Sequence, residues 1–453
     1  MGDQADSVLA GMSVPVLYKL PVPSRWQVSL AVLLVAGAVI TPKVAPLVGK
    51  VHHYLTTEAP RLVHAKSAEN EKLLERCEAI KKYYPLWYLF NGHLQTFKLA
   101  FANEQEKHPN INYERQLLEM PDGGVVSLDW ALPIHSDGSI TPLSNIDPNK
   151  RTVLILPGLT GGSTEHYIRS AVHSLRQKGW QVVVMNARGC ANTPLKTPQF
   201  FCIAYTEDLR YTAKYLSAKY NFQSEAFIGL GFSLGSNVLV KYLGEEKEKT
   251  PLTAGISVGN PFDVVKCSGN IDATLFNRLT YGHALNTSLL QLVFEKSNAH
   301  EIFQGYPGVD LGHLRQAKSL FDFDDRFTRI LFKYSSVSEF YTDASSVTRL
   351  PHVAVPLLCL NAADDPISIT IPNDEQILAN PNVILCVTKS GGHLAFFEGE
   401  QPTDNDRDDG EAEKKSNGDD GSLRTWSSRV IAEFAESVRL QRAEQQQQQQ
   451  QHM

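Results

Sequence analysis

Ser233 is the residue whose sequence surroundings point most directly to chemistry. It lies in the sequence Gly231-Phe232-Ser233-Leu234-Gly235, after an apolar run and before a stretch with helical character. Glycines two positions on either side allow a sharp strand-to-helix turn that exposes the serine hydroxyl. A G-x-S-x-G pattern arises by chance often enough to be weak evidence alone. The strand before it and the helix after it are what favour a nucleophile.

The two other groups that a nucleophilic serine needs follow later in the chain. Asp364 and Asp365 stand just beyond one apolar run, and His393 stands in a glycine-flanked loop beyond the next. The histidine takes the serine proton and the acid fixes the imidazole tautomer, so all three side chains must meet at one edge of a sheet. Pro366 extends the backbone of the residue before it. We therefore predict a triad of Ser233, Asp365 and His393, with Asp364 pointing elsewhere.

An oxyanion hole can be built from backbone N–H groups close to this serine. The glycine-rich turn Leu156-Pro157-Gly158-Leu159-Thr160-Gly161-Gly162-Ser163 follows an apolar run. The N–H groups of Leu159 and Leu234 could converge on a developing oxyanion, a contribution of about 3 kcal/mol per donor. The alternative is a glycine-rich turn that does not bind an oxyanion. Phosphate binding is disfavoured, because no Gly-Lys-Ser/Thr follows.

Cofactor and metal chemistry find little support in the sequence. Gly229, Gly231 and Gly235 could form a dinucleotide-binding turn, but such a turn normally opens its domain, and here other strands precede it. His300 lacks a second histidine four residues later, and the acids near Asp322 lack the spacing of a calcium loop. We expect no cofactor and no metal.

Alternating apolar and helical segments indicate how these residues are positioned. Short apolar runs separated by helical stretches are typical of a parallel sheet covered on both faces. The predicted strands are Thr152 to Leu156, Gln181 to Met185, Ala226 to Leu230, Ala254 to Val258, Pro356 to Leu360 and Val383 to Val387, preceded by a hairpin of Tyr113 to Met120 and Val125 to Leu132. The long segment 259–355 between the fourth and fifth of the six runs predicts an inserted helical lid. The expected fold class is therefore α/β, an α/β-hydrolase fold with a mostly parallel twisted sheet.

The N-terminal region differs in composition from the rest. Trp26 to Pro42 carries no charged residue, and we interpret it as a membrane anchor after an N-terminal tail of residues 1–25, although it is shorter than the ~20 residues that span a bilayer comfortably. A cleaved signal peptide and a buried helix are the alternatives. Residues 43–110 are predicted to be a connecting helical arm, and residues 111–440 the catalytic domain.

The C-terminal region combines a polar insert with a patterned helix. Residues 401–422 are acidic and polar, which predicts a disordered insert. Trp426, Val430, Phe434 and Val438 recur every four residues, which predicts a helix with one apolar stripe that returns to the sheet. Residues 441–453 form a glutamine-rich tail. The net charge of -6 disfavours nucleic acid as a partner, and six scattered cysteines favour buried free thiols.

Taken together, these motifs resemble the membrane-anchored α/β-hydrolase-domain lipases and the embryogenesis-associated proteins. The resemblance runs from Tyr84 to Phe397. It is carried by the segments Phe90–Thr96, Leu156–Gly162, Asn186–Cys190, Thr206–Leu209, Gly231–Gly235, Leu360–Pro366 and Gly391–His393. It implies esterases or lipases similar to the monoacylglycerol lipase and medium-chain phospholipase branch, with Ser233 as nucleophile, Asp365 as acid and His393 as base. Ser236 departs from the family, in which many relatives carry glycine.

The functional hypothesis from the sequence is a membrane-associated lipid ester hydrolase. An acyltransferase that uses the same acyl-enzyme and a non-catalytic lipid-binding receptor are the alternatives. The expected location is a single-pass membrane protein of the endoplasmic reticulum or plasma membrane with type II topology. Asn286-Thr287-Ser288 is the only glycosylation sequon, and it would be used only if the lid is lumenal. The sequence does not predict an oligomeric state.

Overall fold

Nine strands form a single mixed sheet in the computed structural model, which describes residues 57, 59–86, 88–105, 111–132, 142–399 and 425–451, without the side chains of 103–105. The strands are β1 Arg61–His64, β2 Glu114–Glu119, β3 Val125–Trp130, β4 Thr152–Leu156, β5 Gln181–Asn186, β6 Phe227–Phe232, β7 Ala254–Val258, β8 Leu357–Ala362 and β9 Val383–Thr388. Their order across the sheet is β1-β9-β8-β7-β6-β4-β5-β3-β2. The predicted α/β class is confirmed.

The six central strands, β4 to β9, are parallel to one another, and every one of their residues is buried. Each of these strands coincides with a predicted apolar run within two residues. Continuous apolar runs are expected where helices cover both faces of a sheet. The predicted hairpin is also present, as β2 and β3 paired antiparallel from Glu119 opposite Val125.

Helices cover both faces of the sheet and form the inserted segment. They are α1 Ala68–Glu75, α2 Gly92–Gln105, α3 His166–Gln177, α4 Glu207–Lys219, α5 Leu234–Glu246, α6 Val264–Ala273, α7 Leu275–Asn277, α8 His283–Gln291, α9 Ala299–Ile302, α10 Leu311–Leu314, α11 Leu320–Phe323, α12 Arg329–Leu331, α13 Val337–Ala344, α14 Asp374–Leu378 and α15 Trp426–Gln451. Short 3₁₀ turns lie at Ala79–Lys81, Leu143–Asn145, Phe222–Ser224, Lys247–Lys249 and Ser346–His352.

Alternation along β4 shows how the two hydrophobic layers are separated. Val153 and Ile155 belong to a core that includes α3 and α15, whereas Leu154 and Leu156 belong to a core that includes α4 and α5. Successive side chains of a strand point to opposite faces, which divides the apolar residues between these layers. Apolar side chains therefore cover the sheet on both faces.

The segment between β7 and β8 contains helices α6 to α13, where the sequence predicts a lid. Wide π-type turns interrupt these helices at Arg278–Gly282, Leu292–Lys296 and Asp324–Thr328. The segment has an aromatic core of its own, in which Phe303, Phe323 and Phe327 are buried with Phe200 from the body of the domain. Such π turns occur frequently at functional sites.

The segment predicted to be a connecting arm contributes directly to the sheet and to its core. β1 pairs antiparallel with β9, and Leu73, Ile80 and Tyr83 belong to the same core cluster as Trp426 of α15. The sequence does not predict β1, because four residues are too few to show a strand period. The predicted stripe on α15 is buried as expected.

The predicted membrane localisation requires a correction. Among the helices that the structure describes, none has both the length and the apolar character needed to cross a bilayer. The longest, α15, has an apolar face on one side only and ends in the glutamine run. This finding contradicts the predicted single-pass protein of type II topology. The predicted anchor, Trp26 to Pro42, and the predicted acidic insert, 401–422, lie outside the described residues.

The stripe on α15 gives a direct test of this packing. Phe434 is fully buried, so Phe434→Ala should lower the free energy of unfolding by about 3–5 kcal/mol. Leu440 lies on the same helix with 37 % of its surface exposed, and Leu440→Ala should cost far less. Urea denaturation of both variants measures the difference. Equal costs would show that α15 does not pack on the sheet in this way.

Candidate active site

Ser233 occupies a strained turn between β6 and α5. Its backbone has φ 51° and ψ -117°, a conformation that residues with side chains rarely adopt. A Cβ on Gly231 would lie 2.5 Å from the carbonyl oxygen of Gly235, and a Cβ on Gly235 would lie 2.4 Å from that of Leu156. The Ser233 N–H donates to the Val258 carbonyl oxygen at 2.9 Å. Both glycines are thus required for steric reasons, and the hydroxyl is presented above the sheet edge.

The structure brings Ser233, His393 and Asp365 together in one chain of hydrogen bonds. Nε2 of His393 lies 2.9 Å from Oγ of Ser233, and Nδ1 of His393 lies 2.9 Å from Oδ2 of Asp365. Oδ1 of Asp365 accepts from the N–H groups of Ile367 and Ser368, both at 2.8 Å. The carboxylate is therefore buried and fully bonded. It favours the tautomer whose Nε2 can accept the serine proton.

The neighbouring carboxyl, Asp364, points away from His393. Its Oδ1 accepts from the Gly392 N–H at 2.9 Å, so the two adjacent acids face different loop groups, as the extended backbone before Pro366 predicts. Burial, together with the charge of Asp365, raises the pKa of Asp364 to about 6. Asp364 therefore bonds to the loop of residues 391–397 that carries His393, called the histidine loop below, and does not touch the imidazole.

The predicted oxyanion donors flank the serine on the wall of one cavity. Leu159 and Leu234 both line this cavity beside Ser233, and neither N–H is bonded to another described residue. Gly158 approaches closely, since a Cβ there would lie 3.4 Å from the Ser233 Cβ. The Gly158 N–H donates to the Tyr167 hydroxyl at 3.1 Å. The N–H groups of Leu159 and Leu234 thus have no partner among the described residues, which a donor to a developing oxyanion requires.

A buried polar network that was not predicted from the sequence anchors the far end of the glycine-rich turn. Oδ2 of Asp129 accepts from the Ser163 hydroxyl at 2.6 Å and from the Asn186 amide at 2.8 Å. Arg115 pairs with Asp129 through two bonds of 2.7 Å. The one available signal was an aspartate in the middle of the apolar run of β3, whose side chain must be bonded if buried.

The cavity at Ser233 is lined mostly by apolar side chains and, together with the solvent space at its opening, encloses about 800 Å³. Its walls come from the Phe200–Ile203 loop and from the inserted helices, including Leu289, Phe323 and Phe340. Asp324 and Tyr341 lie in the same lining and bond to each other, with the Tyr341 hydroxyl donating at 2.8 Å. Burial raises the pKa of Asp324 to about 6. The lining therefore presents an apolar surface beside the Ser233 hydroxyl.

Two other sequence predictions concern sites away from the triad. Asn286 of the sequon is buried, and its amide donates to the Ala317 carbonyl oxygen at 2.9 Å, so it cannot carry a glycan in the folded protein. No group of metal-ligating side chains occurs among the described residues.

Comparison with known proteins connects this geometry to one group of enzymes. Residues 151–400 match the family model described as alpha/beta hydrolase fold. The chain is 36% identical to Phospholipase ABHD3 of Homo sapiens over 77% of this chain and 83% of that protein. It is 35% identical to Embryogenesis-associated protein EMB8 of Picea glauca, over 70% and 68% of the two chains. It is 33% identical to Monoacylglycerol lipase of Saccharomyces cerevisiae, over 68% and 75%.

Because Asp324 is buried, we expect the free energy of unfolding to depend on pH. Its pKa is raised from 3.8 to about 6, so its contribution to the free energy of unfolding is full below about pH 4 and is lost as the pH rises through 6. Asp324→Asn keeps an acceptor for Tyr341 and escapes this loss. Relative to wild type, the variant should gain up to about 2–3 kcal/mol between pH 4 and pH 7. Denaturant titrations across this range measure the gain, and a difference that does not change with pH would refute it.

Proposed function

Because the chain belongs to the α/β-hydrolase family, we propose that it is a carboxylic ester hydrolase that cleaves lipid esters through an acyl-enzyme on Ser233. The observation that carries this proposal is the hydrogen-bonded chain Ser233–His393–Asp365 at the wall of an apolar cavity. The names of the relatives, a phospholipase and a monoacylglycerol lipase, suggest phospholipids and acylglycerols as substrates.

The proposed first half-reaction is acylation. Nε2 of His393 accepts the Ser233 proton while Oγ attacks the ester carbonyl carbon, and the negative charge moves to the carbonyl oxygen. The N–H groups of Leu159 and Leu234 stabilise that oxygen. The tetrahedral intermediate then collapses, the bond to the alcohol oxygen breaks, and His393 returns its proton to the departing alcohol.

The second half-reaction regenerates the enzyme. Water replaces the alcohol, His393 accepts one of its protons, and the resulting hydroxide attacks the acyl carbon. Collapse releases the fatty acid, and Ser233 recovers its proton from His393. Asp365 stabilises the imidazolium in both steps and stays ionised throughout. No group other than those of this chain and water is needed to balance the reaction.

The cavity supports an acyl chain as the group that is bound beside Ser233. Burial of apolar chain surface contributes about 25 cal/mol per Å². Leu289, Phe323 and Phe340 offer this surface next to the nucleophile.

Replacement of the nucleophile tests the proposal. Wild type, incubated with a monoacylglycerol or a phospholipid, should release free fatty acid, and Ser233→Ala should release it at least about 10⁴-fold more slowly with an unchanged melting curve. Ser236→Ala is a matched control, because its hydroxyl bonds to the Ser233 carbonyl and not to His393. Chromatography of the lipid products provides the rates.

The same assay separates the competing functions when glycerol or ethanol is added. If the main product is a new ester of the added alcohol, the protein is an acyltransferase and not a hydrolase. A folded wild type that binds lipid tightly without converting any ester would indicate a lipid-binding receptor and would refute the hydrolase.

The two adjacent acids give a second prediction. Asp365→Asn should lower kcat by about 10⁴-fold, because its amide would donate to Nδ1 of His393 and stabilise the wrong tautomer. Asp364→Asn keeps an oxygen for the Gly392 N–H and should retain most of the activity. Rates and melting curves of both variants are required. If Asp364→Asn is the inactive variant, the assignment of the acid moves by one residue.

A further inference from the structure

The first turn of α2 lies against the loop that carries His393, although it precedes the residues 151–400 that match the family model. Asn91 begins this turn, and its side chain accepts from the Leu94 N–H at 2.9 Å. Gln95 and Thr96 follow, and both are buried. Phe90–Thr96 is one of the segments that carry the family resemblance, and the sequence predicts no role for it. Its place beside the triad suggests one.

The backbone of the histidine loop adopts conformations that are unfavourable for two of its residues. Leu394 and Phe396 have φ values of 66° and 43°, in the left-handed region that favours glycine. Gly392, with φ 57°, precedes His393 directly. A loop with this many unfavourable conformations relaxes unless other parts of the structure bond to it. His393 therefore needs external support to keep Nε2 within reach of Ser233.

Thr96 provides the support closest to the imidazole. Its hydroxyl donates to the Gly92 carbonyl oxygen at 2.7 Å, which turns an oxygen lone pair toward the loop. The His393 N–H donates to that oxygen at 2.9 Å. The hydroxyl has one proton, already engaged by Gly92, so its role toward His393 is that of an acceptor.

Gln95 holds the other end of the same loop. Its Oε1 accepts from the Phe397 N–H at 3.1 Å, and the Tyr83 hydroxyl donates to the Phe397 carbonyl oxygen at 3.0 Å. Together with Thr96, these bonds fix both ends of the five residues from His393 to Phe397. Consecutive residues of one helix turn thus hold the whole loop.

The backbone of α2 packs tightly against two loops, the one that carries Asp365 and the one that carries His393. A Cβ on Gly92 would lie 1.9 Å from the carbonyl oxygen of Asp364, and a Cβ on Gly392 would lie 2.5 Å from the carbonyl oxygen of Gly92. Backbone therefore packs on backbone at both the acid loop and the histidine loop. A shift of α2 would move His393 and Asp365 relative to Ser233.

We infer that the first turn of α2 is a positioning element of the active site, in which Thr96 fixes the histidine loop so that His393 stays bonded to Ser233. Residues before the matched family region then complete the site. This inference rests on the proposed hydrolase function. A misplacement of about 1 Å by a distant change can reduce turnover by about 10²-fold.

The experiment replaces Thr96 in the full chain and follows monoacylglycerol hydrolysis. Thr96→Val removes the acceptor at equal size, and kcat should fall 10- to 100-fold while KM stays within about two-fold. Thr96→Ser keeps the acceptor and should restore kcat to within about three-fold of wild type. Thr212→Val is the matched control, because Thr212 is a buried helical threonine whose hydroxyl has no partner among the described residues.

Circular dichroism and thermal melts measure the folded fraction of each variant at the assay temperature, and kcat is calculated per folded molecule. If Thr96→Val does not fold, Thr96→Ala takes its place and the same split between kcat and KM is expected. An unchanged kcat in a folded Thr96→Val or Thr96→Ala variant overturns the inference, as does a Thr96→Ser variant no better than either. An inactive wild type refutes the proposed hydrolase itself, whereas an active wild type with an insensitive Thr96 refutes only the positioning role.

Discussion

The hydrogen bond between Nε2 of His393 and Oγ of Ser233 joins two turns that are both conformationally unfavourable, and the surrounding structure is arranged around that contact. Ser233 has a positive φ, and so do Gly392 and Leu394 on either side of His393. The 2.9 Å contact exists only while both turns are held. Strain of this kind persists where neighbouring structure over-determines the backbone.

Each support comes from a different part of the chain. β7 accepts the Ser233 N–H through the carbonyl oxygen of Val258, and α2 accepts the His393 N–H through Thr96. The glycine-rich turn of residues 156–163 is held by Tyr167 at Gly158 and by Asp129 at Ser163. In the proposed enzyme, the sheet and α2 thus hold the reacting groups, while the inserted helices and the Phe200–Ile203 loop line the apolar cavity beside them.

The part of this site that could be predicted from sequence is the part that local pattern determines. The six central strands appear as continuous apolar runs because both faces are covered, and residues just after such runs meet at one sheet edge. Thr96 could not be linked to His393 in this way, since 297 positions separate them and a buried threonine has no distinctive pattern. Asp129 could have been noticed as an aspartate within an apolar run, whereas Tyr167, although it is near Gly158 in sequence, has no distinctive pattern. β1 was too short to detect, and the membrane localisation drawn from composition was wrong.

Covalent labelling shows whether Ser233 is a nucleophile that this arrangement activates. The folded wild type would be treated with a fluorophosphonate, digested and examined by mass spectrometry for the modified peptide. We expect one adduct, on Ser233, and no labelling of Ser233→Ala under the same conditions. An adduct on a different serine, or a folded wild type that is never labelled, would contradict it.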